Sequence, residues 1–187
     1  AFNATCGGGL VLNKDVYDMQ PGEALQLINF EPSTEGGYRR LNGTTKYNST
    51  IVPQVSLANE RIQMSAIFND KIIVARGGTV SYGDTSGSWT SLATSQGGTY
   101  TYDFDKFNFS GTSKIIIATG EAAAFTVNTS FAVDVINATG GGTAPTNPKF
   151  VKTFANHVFY GGMSNSTHSI LFSVPFSEDN FTSGSGA

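Results

Sequence analysis

The sequence predicts an all-β chain built from antiparallel hairpin repeats of about 43 residues. Three observations carry this. Apolar runs of four to seven residues are broken by Gly, Asn and Asp from Arg61 onward. Charged residues make up only 13% of the chain, against roughly 25% in an average globular domain. Similar strands also recur at a fixed interval, since Ile73, Ile116 and Phe159 stand 43 residues apart in KIIVARGG, KIIIATGE and HVFYGG, with Lys71, Lys114 and His157 in the same register. At 187 residues and 39% hydrophobic content, the chain has enough apolar material for a core.

Taken in order, residues 1–60 lie outside the repeat and read as an N-terminal extension that docks on a neighbour. Gly7-Gly8-Gly9 is a mobile approach. Pro21-Gly22-Glu23 before ALQLINF opens either a short helix, with Pro in its first position and an acidic first turn, or a strand. GGYRRL, Asn42-Gly43 and TTKYN predict a hairpin with a two-residue turn. IQMSAIF, Asn69-Asp70, KIIVAR, Gly77-Gly78 and TVSYG then predict three successive antiparallel strands, and Trp89 after the loop GDTSGS opens a fourth. In TYDFDKFNF the aromatic positions shift from Tyr100, Tyr102 and Phe104 to Phe107 and Phe109, which predicts a bulge near Asp105-Lys106. AAAFTVN and SILFSV continue the second and third units. The units fall near 61–98, 99–142 and 147–187.

A 43-residue period matches the four-stranded blade of a β-propeller and excludes the shorter helical ankyrin and tetratricopeptide repeats. The GH…WD signature is absent, so the repeat is not of the WD40 type. Three units are fewer than the four or so that closure requires. The expectation is propeller-like blades in a partial or incomplete propeller, completed by further chain or by partners. The absence of an initial Met and the small polar end, Ser183 to Ala187, read as a segment of a longer polypeptide.

Composition also limits function. A formal net charge of -3 provides no basic field for phosphates, so sequence-specific nucleic-acid binding is not expected. Neither is membrane insertion, because no run approaches the roughly 18 apolar residues of a span and AFNATCGGG lacks the regions of a signal peptide. Cys6 is alone and forms no internal disulfide. Asn-x-Ser/Thr sequons at Asn3, Asn42, Asn48, Asn108, Asn128, Asn137, Asn165 and Asn180 read as turn chemistry rather than glycosylation.

No catalytic, cofactor-binding or metal-ligating residues are assigned, and the chain is not expected to be an enzyme. GDTSGS resembles a serine-protease nucleophile loop, but His157 and His168 both follow it, contrary to the chymotrypsin order. GGGTAP lacks the phosphate-binding Lys of a P-loop. One Cys and two His offer no metal spacing. Asp103 and Asp105 share one face of a strand, as a carboxylate pair or calcium site requires, yet the outer face of a hairpin explains them more simply. Glu178-Asp179 reads as a solvated turn. The aromatics of residues 100–109 read as core rather than a stacking platform. Tyr38, Arg39 and Arg40 are the candidate interface, since Tyr and Arg are enriched where interfaces concentrate binding energy.

Two stretches carry a resemblance. CGGGLVLNKDVYDMQPGEALQLINFEPSTEGGYRRLNGTTKY, with its glycine run, PGEALQLINFE and GGYRR before a small turn, resembles the opening of propeller-type virion structural proteins of tailed bacteriophages, particularly phages of marine cyanobacteria. FVKTFANHVFYGGMSNSTHSILFSVPFSEDNF is similar to their blade pattern, in which FS-x-P precedes an acidic turn and Asn-Phe. The resemblance implies a structural component of a phage particle in the tail or head-tail region, nozzle-like, assembled in the host cytoplasm. It further implies other virion proteins as partners and a homo-oligomer in a symmetric ring or lattice, with no cofactor. The alternative is a phage surface adhesin or capsid decoration protein that binds host glycan.

Overall fold

A computed structural model describes residues 9–11, 14–20, 23–24, 26, 28, 30–32, 38–41, 43, 45–55, 61–109 and 111–182. The described residues are all-β, with short antiparallel sheets, one two-residue parallel pairing and a single turn of 3-10 helix. The chain divides into two compact units, Ala1–Lys46 and Tyr47–Ala187. Residues 47–55, read from the sequence as part of the extension, belong with the repeats.

In the first unit, β1 (Gly9–Leu10) pairs in parallel with β2 (Glu23–Ala24). Glu23 thus starts a strand, which resolves the helix-or-strand alternative; Gly7, Gly8, Pro21 and Gly22 lie outside the described residues. The 3-10 turn, Val16–Asp18, is capped by the Asp15 carboxylate, which accepts from the Tyr17 N–H at 3.1 Å. β3 (Phe30–Pro32) pairs antiparallel with β4 (Tyr38–Arg40). The predicted hairpin is therefore corrected: the partner of Tyr38–Arg40 lies upstream, not in TTKYN. Asn42 and Thr44 lie outside the described residues.

The second unit holds three successive meanders. The first sheet is β5 (Ile62–Phe68), β6 (Lys71–Arg76), β7 (Thr79–Gly83) and β8 (Trp89–Ala93), in that spatial order. The sequence predicted these strands and their turns. Asn69 and Asp70 take φ of 47° and 59° and Gly77 and Gly78 take 52° and 79°, the left-handed values that tight hairpin turns demand and that Asn, Asp and Gly tolerate best. The second sheet is β9 (Asp103–Phe109), β10 (Thr112–Ala118), β11 (Phe125–Asn128) and β12 (Val133–Val135). The third is β13 (Phe150–Phe154), β14 (His157–Met163) and β15 (Ser166–Phe172).

Face-to-face packing of these meanders makes the core. Ile73, Ala75 and Val80 of the first sheet pack with Ile115, Ile117, Phe125 and Val127 of the second. Phe107, Ile116 and Ala118, on the opposite face of the second sheet, pack with Val151, Val158 and Tyr160 of the third and with Phe181. Because the middle sheet is covered on both sides, Ile115 to Ala118 are all buried and read as a continuous apolar run rather than an alternation.

The same burial removes the predicted bulge. β9 pairs with β10 without interruption from Asp103 to Phe109. Tyr102 and Phe104 join the cluster against the first sheet, while Phe107 and Phe109 join that against the third. Where both faces are apolar, aromatics can switch sides in a regular strand. Bulges fall elsewhere, at Ile62/Met64, Val80/Ser81 and Gly161/Met163.

The 43-residue register also needs correction. Ile73, Ile116 and Phe159 do lie on the second strand of their sheets. However, the hairpin-closing pairs Phe68–Lys71, Phe109–Thr112 and Phe154–His157 recur after 41 and then 45 residues. Both departures are even, so the side chains keep the same face. Ile73 and Ile116 are fully buried, whereas Phe159 is half-buried, because its face has no succeeding sheet on it among the described residues.

Candidate functional site

The side chains that looked most like chemistry are bonded into the architecture. Asp103 Oδ2 accepts from the Val151 N–H at 3.0 Å, and Lys152 Nζ approaches Asp103 Oδ1 at 3.3 Å. Asp105 Oδ2 accepts from the Thr153 N–H at 2.7 Å and the Thr153 hydroxyl at 2.8 Å, and its Oδ1 from the Lys106 N–H at 2.9 Å. Spacing by two put both carboxylates on one face, as predicted. That face joins the second and third sheets, which corrects the reading of an outer hairpin face. Burial acts to raise the Asp105 pKa, but the bonds from Thr153 and Lys106 outweigh it and hold the carboxyl below its ordinary range.

Glu178 and Asp179 likewise are not a solvated turn. Lys114 pairs with Glu178 from the middle sheet. Asp179 accepts from the N–H groups of Asn137, Ala138 and Thr139, at 2.8, 2.6 and 2.9 Å. The segment 173–182 is thus stitched onto the loop at 137–142, where Phe181 N–H donates to Gly141 O at 2.8 Å. A Cβ at Gly142 would lie 2.3 Å from Phe181 O. GGGTAP is therefore glycine-rich because another backbone runs against it.

The GDTSGS loop is closed by Asp84, which accepts from Lys71 Nζ at 2.6 Å and from the Ser86 N–H at 2.8 Å. The Lys71 hydrogen bond, followed by those of Ser86, holds the Asp84 carboxyl far below its ordinary range. His157 lies on the third sheet, its Nδ1 2.6 Å from Ser173 O and its ring against Phe159 and Phe172. Sequons at Asn48, Asn128, Asn137 and Asn180 form Asx turns, each Oδ1 accepting the N–H two residues on. Among the described residues no group of three or more His, Cys, Asp or Glu is placed to hold a metal ion, and no helix is long and apolar enough to cross a membrane.

Of the candidate interface, Tyr38 is half-buried and Arg39 exposed on β4. Arg39 Nε donates to Glu31 Oε1 at 2.7 Å, directly across the strand pair; the Arg40 side chain lies outside the described part. Two further surfaces belong to the repeats. A cleft of about 620 Å³ between the first and second sheets is lined by Asn69, Asp70, Lys106, Asn108, Ser113 and Lys114. A groove of about 430 Å³ runs over the third sheet between Phe150 and Ile170. Neither was visible in the sequence, because each is formed by strands that meet only in three dimensions. The one available signal was the Phe-rich third unit.

No protein-family model matches the chain, and no curated protein matches it at a significant level.

Proposed function

We propose that this chain is a structural component of a tailed-phage particle, in the tail or head-tail region, whose three meanders are propeller-like blades and which acts through protein-protein assembly. The observation that carries the reading is the serial stacking of the three meanders, each in up-and-down strand order, the first packed on the second and the second on the third. Propeller blades are likewise up-and-down sheets, which supports the reading of a rigid wall rather than a reaction vessel. The carboxylates that would serve an acid-base mechanism are occupied by backbone N–H groups, as befits a scaffold. The FS-x-P-acidic-Asn-Phe sequence, part of one of the two stretches that carry the phage resemblance, is the segment that closes the third sheet onto the second. The N-terminal unit, with Tyr38, Arg39 and Arg40, docks the protein on a neighbouring virion subunit. Localisation of the chain by side-chain-resolved reconstruction of purified particles tests the reading: ordered copies about the tail axis support it, and particles lacking the chain overturn it.

The cleft between the first two sheets favours a second reading, a glycan-binding surface protein. Its amide, hydroxyl and ammonium groups are those that hydrogen-bond sugar hydroxyls. Specific glycan-array signals lost on changing Asn69 and Asn108 to Ala would support that reading over the first.

A further inference from the structure

We infer that residues 47–55 are a releasable strap, which undocks from the first sheet as one segment while the three meanders stay folded, and so frees the tether that joins them to the N-terminal unit. The argument begins with how the strap is held. Trp89 Nε1 donates to Thr50 O at 3.0 Å, Arg76 Nη1 to Val52 O at 2.9 Å, and Asn48 Nδ2 to Asp84 O at 2.8 Å. Each of these bonds has a side chain at one end. Among the described residues the strap makes no backbone-to-backbone hydrogen bond to the sheet. Its departure therefore leaves the ladder from β5 to β8 complete.

The apolar residues of the strap point the wrong way for a permanent cover. Tyr47, Ile51 and Val55 are 43%, 76% and 60% exposed, so the burial that would anchor the segment is missing. The sheet face that holds it is polar instead. Thr79 stands opposite Arg76 in register, and Thr79 and Ser81 lie on the side of β7 away from the core residue Val80. Both are buried, and their hydroxyls have no hydrogen-bond partner; nor has the buried side-chain oxygen of Gln54 in the strap. Such groups lose water and gain no bond, which favours a state in which they are exposed.

The segment 173–182 shows how the same chain makes a permanent closure. Backbone pairs bind it, Phe181 N–H to Gly141 O at 2.8 Å and Ser173 N–H to Val158 O at 3.0 Å, and it buries Val174 and Phe181. The strap has neither kind of anchor. It also begins at the residue after the first compact unit ends. Extended at roughly 3.5 Å per residue, it gives a tether of about 30 Å once released. Regions with few buried apolar contacts and no ladder bonds are those that open at low cost while the core stays closed.

This inference stands apart from the virion reading, since it concerns the chain itself. The test reads Trp89, the single Trp of the chain. Its ring lies on Gly83, where a Cβ would be 2.7 Å from Trp89 Cε3, so the indole stays with the sheet and its N–H reports the bond to Thr50. In the isotope-labelled full chain, hydrogen exchange of the indole N–H is compared with that of the Ile73 and Ile116 amides, on the central strands β6 and β10. Thermolysin cleavage before Ile51 and Val52 is timed alongside, since cleavage follows the population of the open form. The expected result is an indole protected at least about a hundredfold less than the two amides, with cleavage at the strap in the folded protein. Asn48→Ala, which removes the bond to Asp84, should raise indole exchange and strap cleavage together by about tenfold, with the two amides still at least about a hundredfold better protected. An indole that exchanges in step with the amides, faster indole exchange without faster cleavage, or an Asn48→Ala chain that does not fold would each overturn the inference.

Discussion

Asp105 is the most informative residue to change, because one side chain holds two sheets together. It accepts two bonds from Thr153 across the sheet boundary and one from the Lys106 N–H. Asp105→Ala leaves the Thr153 N–H, on the edge strand β13, without its acceptor. Hydrogen bonds to a charged group contribute about 1.5–3 kcal/mol each when shielded, and partial exposure here lets water replace part of that, so a total loss of roughly 2–3 kcal/mol is expected. Asp105→Asn keeps the shape and one acceptor oxygen and should cost about half as much. Urea unfolding reports both, followed by far-ultraviolet circular dichroism and by Trp89, the single Trp of the chain. The pH dependence supplies an independent check. A carboxyl whose folded pKa is depressed contributes its full stabilisation above its unfolded value of about 4 and loses it as pH falls through the folded value. The difference between wild type and Asp105→Asn should therefore be constant from about pH 7 to 5 and shrink below about 4. A loss under about 0.5 kcal/mol for Asp105→Ala, or a pH-independent difference down to about pH 2, would refute the reasoning.

Three further predictions follow from the packing. Gly142→Ala places a methyl against the Phe181 carbonyl at a position with φ of +84°, so it should destabilise by about 2 kcal/mol or more and lower the thermal midpoint, while Gly111→Ala, also at positive φ but with open space around its Cβ, should cost only about 1 kcal/mol. Ile116→Ala, fully buried between two sheets, should cost about 3–4 kcal/mol in denaturant unfolding, and Ile116→Val about 1; the half-buried Phe159→Ala should cost distinctly less than the 3–5 kcal/mol or so of a fully buried Phe. Replacing Tyr38, Arg39 and Arg40 with Ala should leave the repeats folded, since the exposed Arg39–Glu31 pair is worth about 0.5 kcal/mol, but should reduce incorporation into particles in a complementation assay; normal incorporation removes the docking role.

The strands of the first sheet were legible residue by residue. There the turn residues and the apolar runs agree, and the connections are as short as a hairpin allows. Three strands of the second sheet were legible in order but not in detail, and the fourth, Val133–Val135, was not read from the sequence. Ala122 to Ala124 read as the start of a strand, yet they belong to the connection, where Thr119 Oγ1 accepts from the Ala122 N–H at 3.0 Å and β11 begins only at Phe125. Small apolar residues fit a turn and a strand equally well, so periodicity gives no decision between them. The pairing of Tyr38–Arg40 was misassigned for a related reason: Asn42-Gly43 is a strong turn signal, but a turn signal does not say which neighbouring strand wins.

By itself the sequence determined the class of structure, the strand-turn rhythm and the shared face of Ile73, Ile116 and Phe159, because these depend on local conformational preference and on a side-chain period of two. A two-residue slip in the repeat left those faces unchanged. Only the tertiary structure decided what Asp103, Asp105, Glu178 and Asp179 do. Their partners lie about 40 to 64 residues away. A carboxylate on a strand looks the same in sequence whether it faces water or the unpaired N–H groups of the next sheet. That distinction exists only once the sheets are stacked, since it depends on which edge the stacking brings within hydrogen-bonding distance.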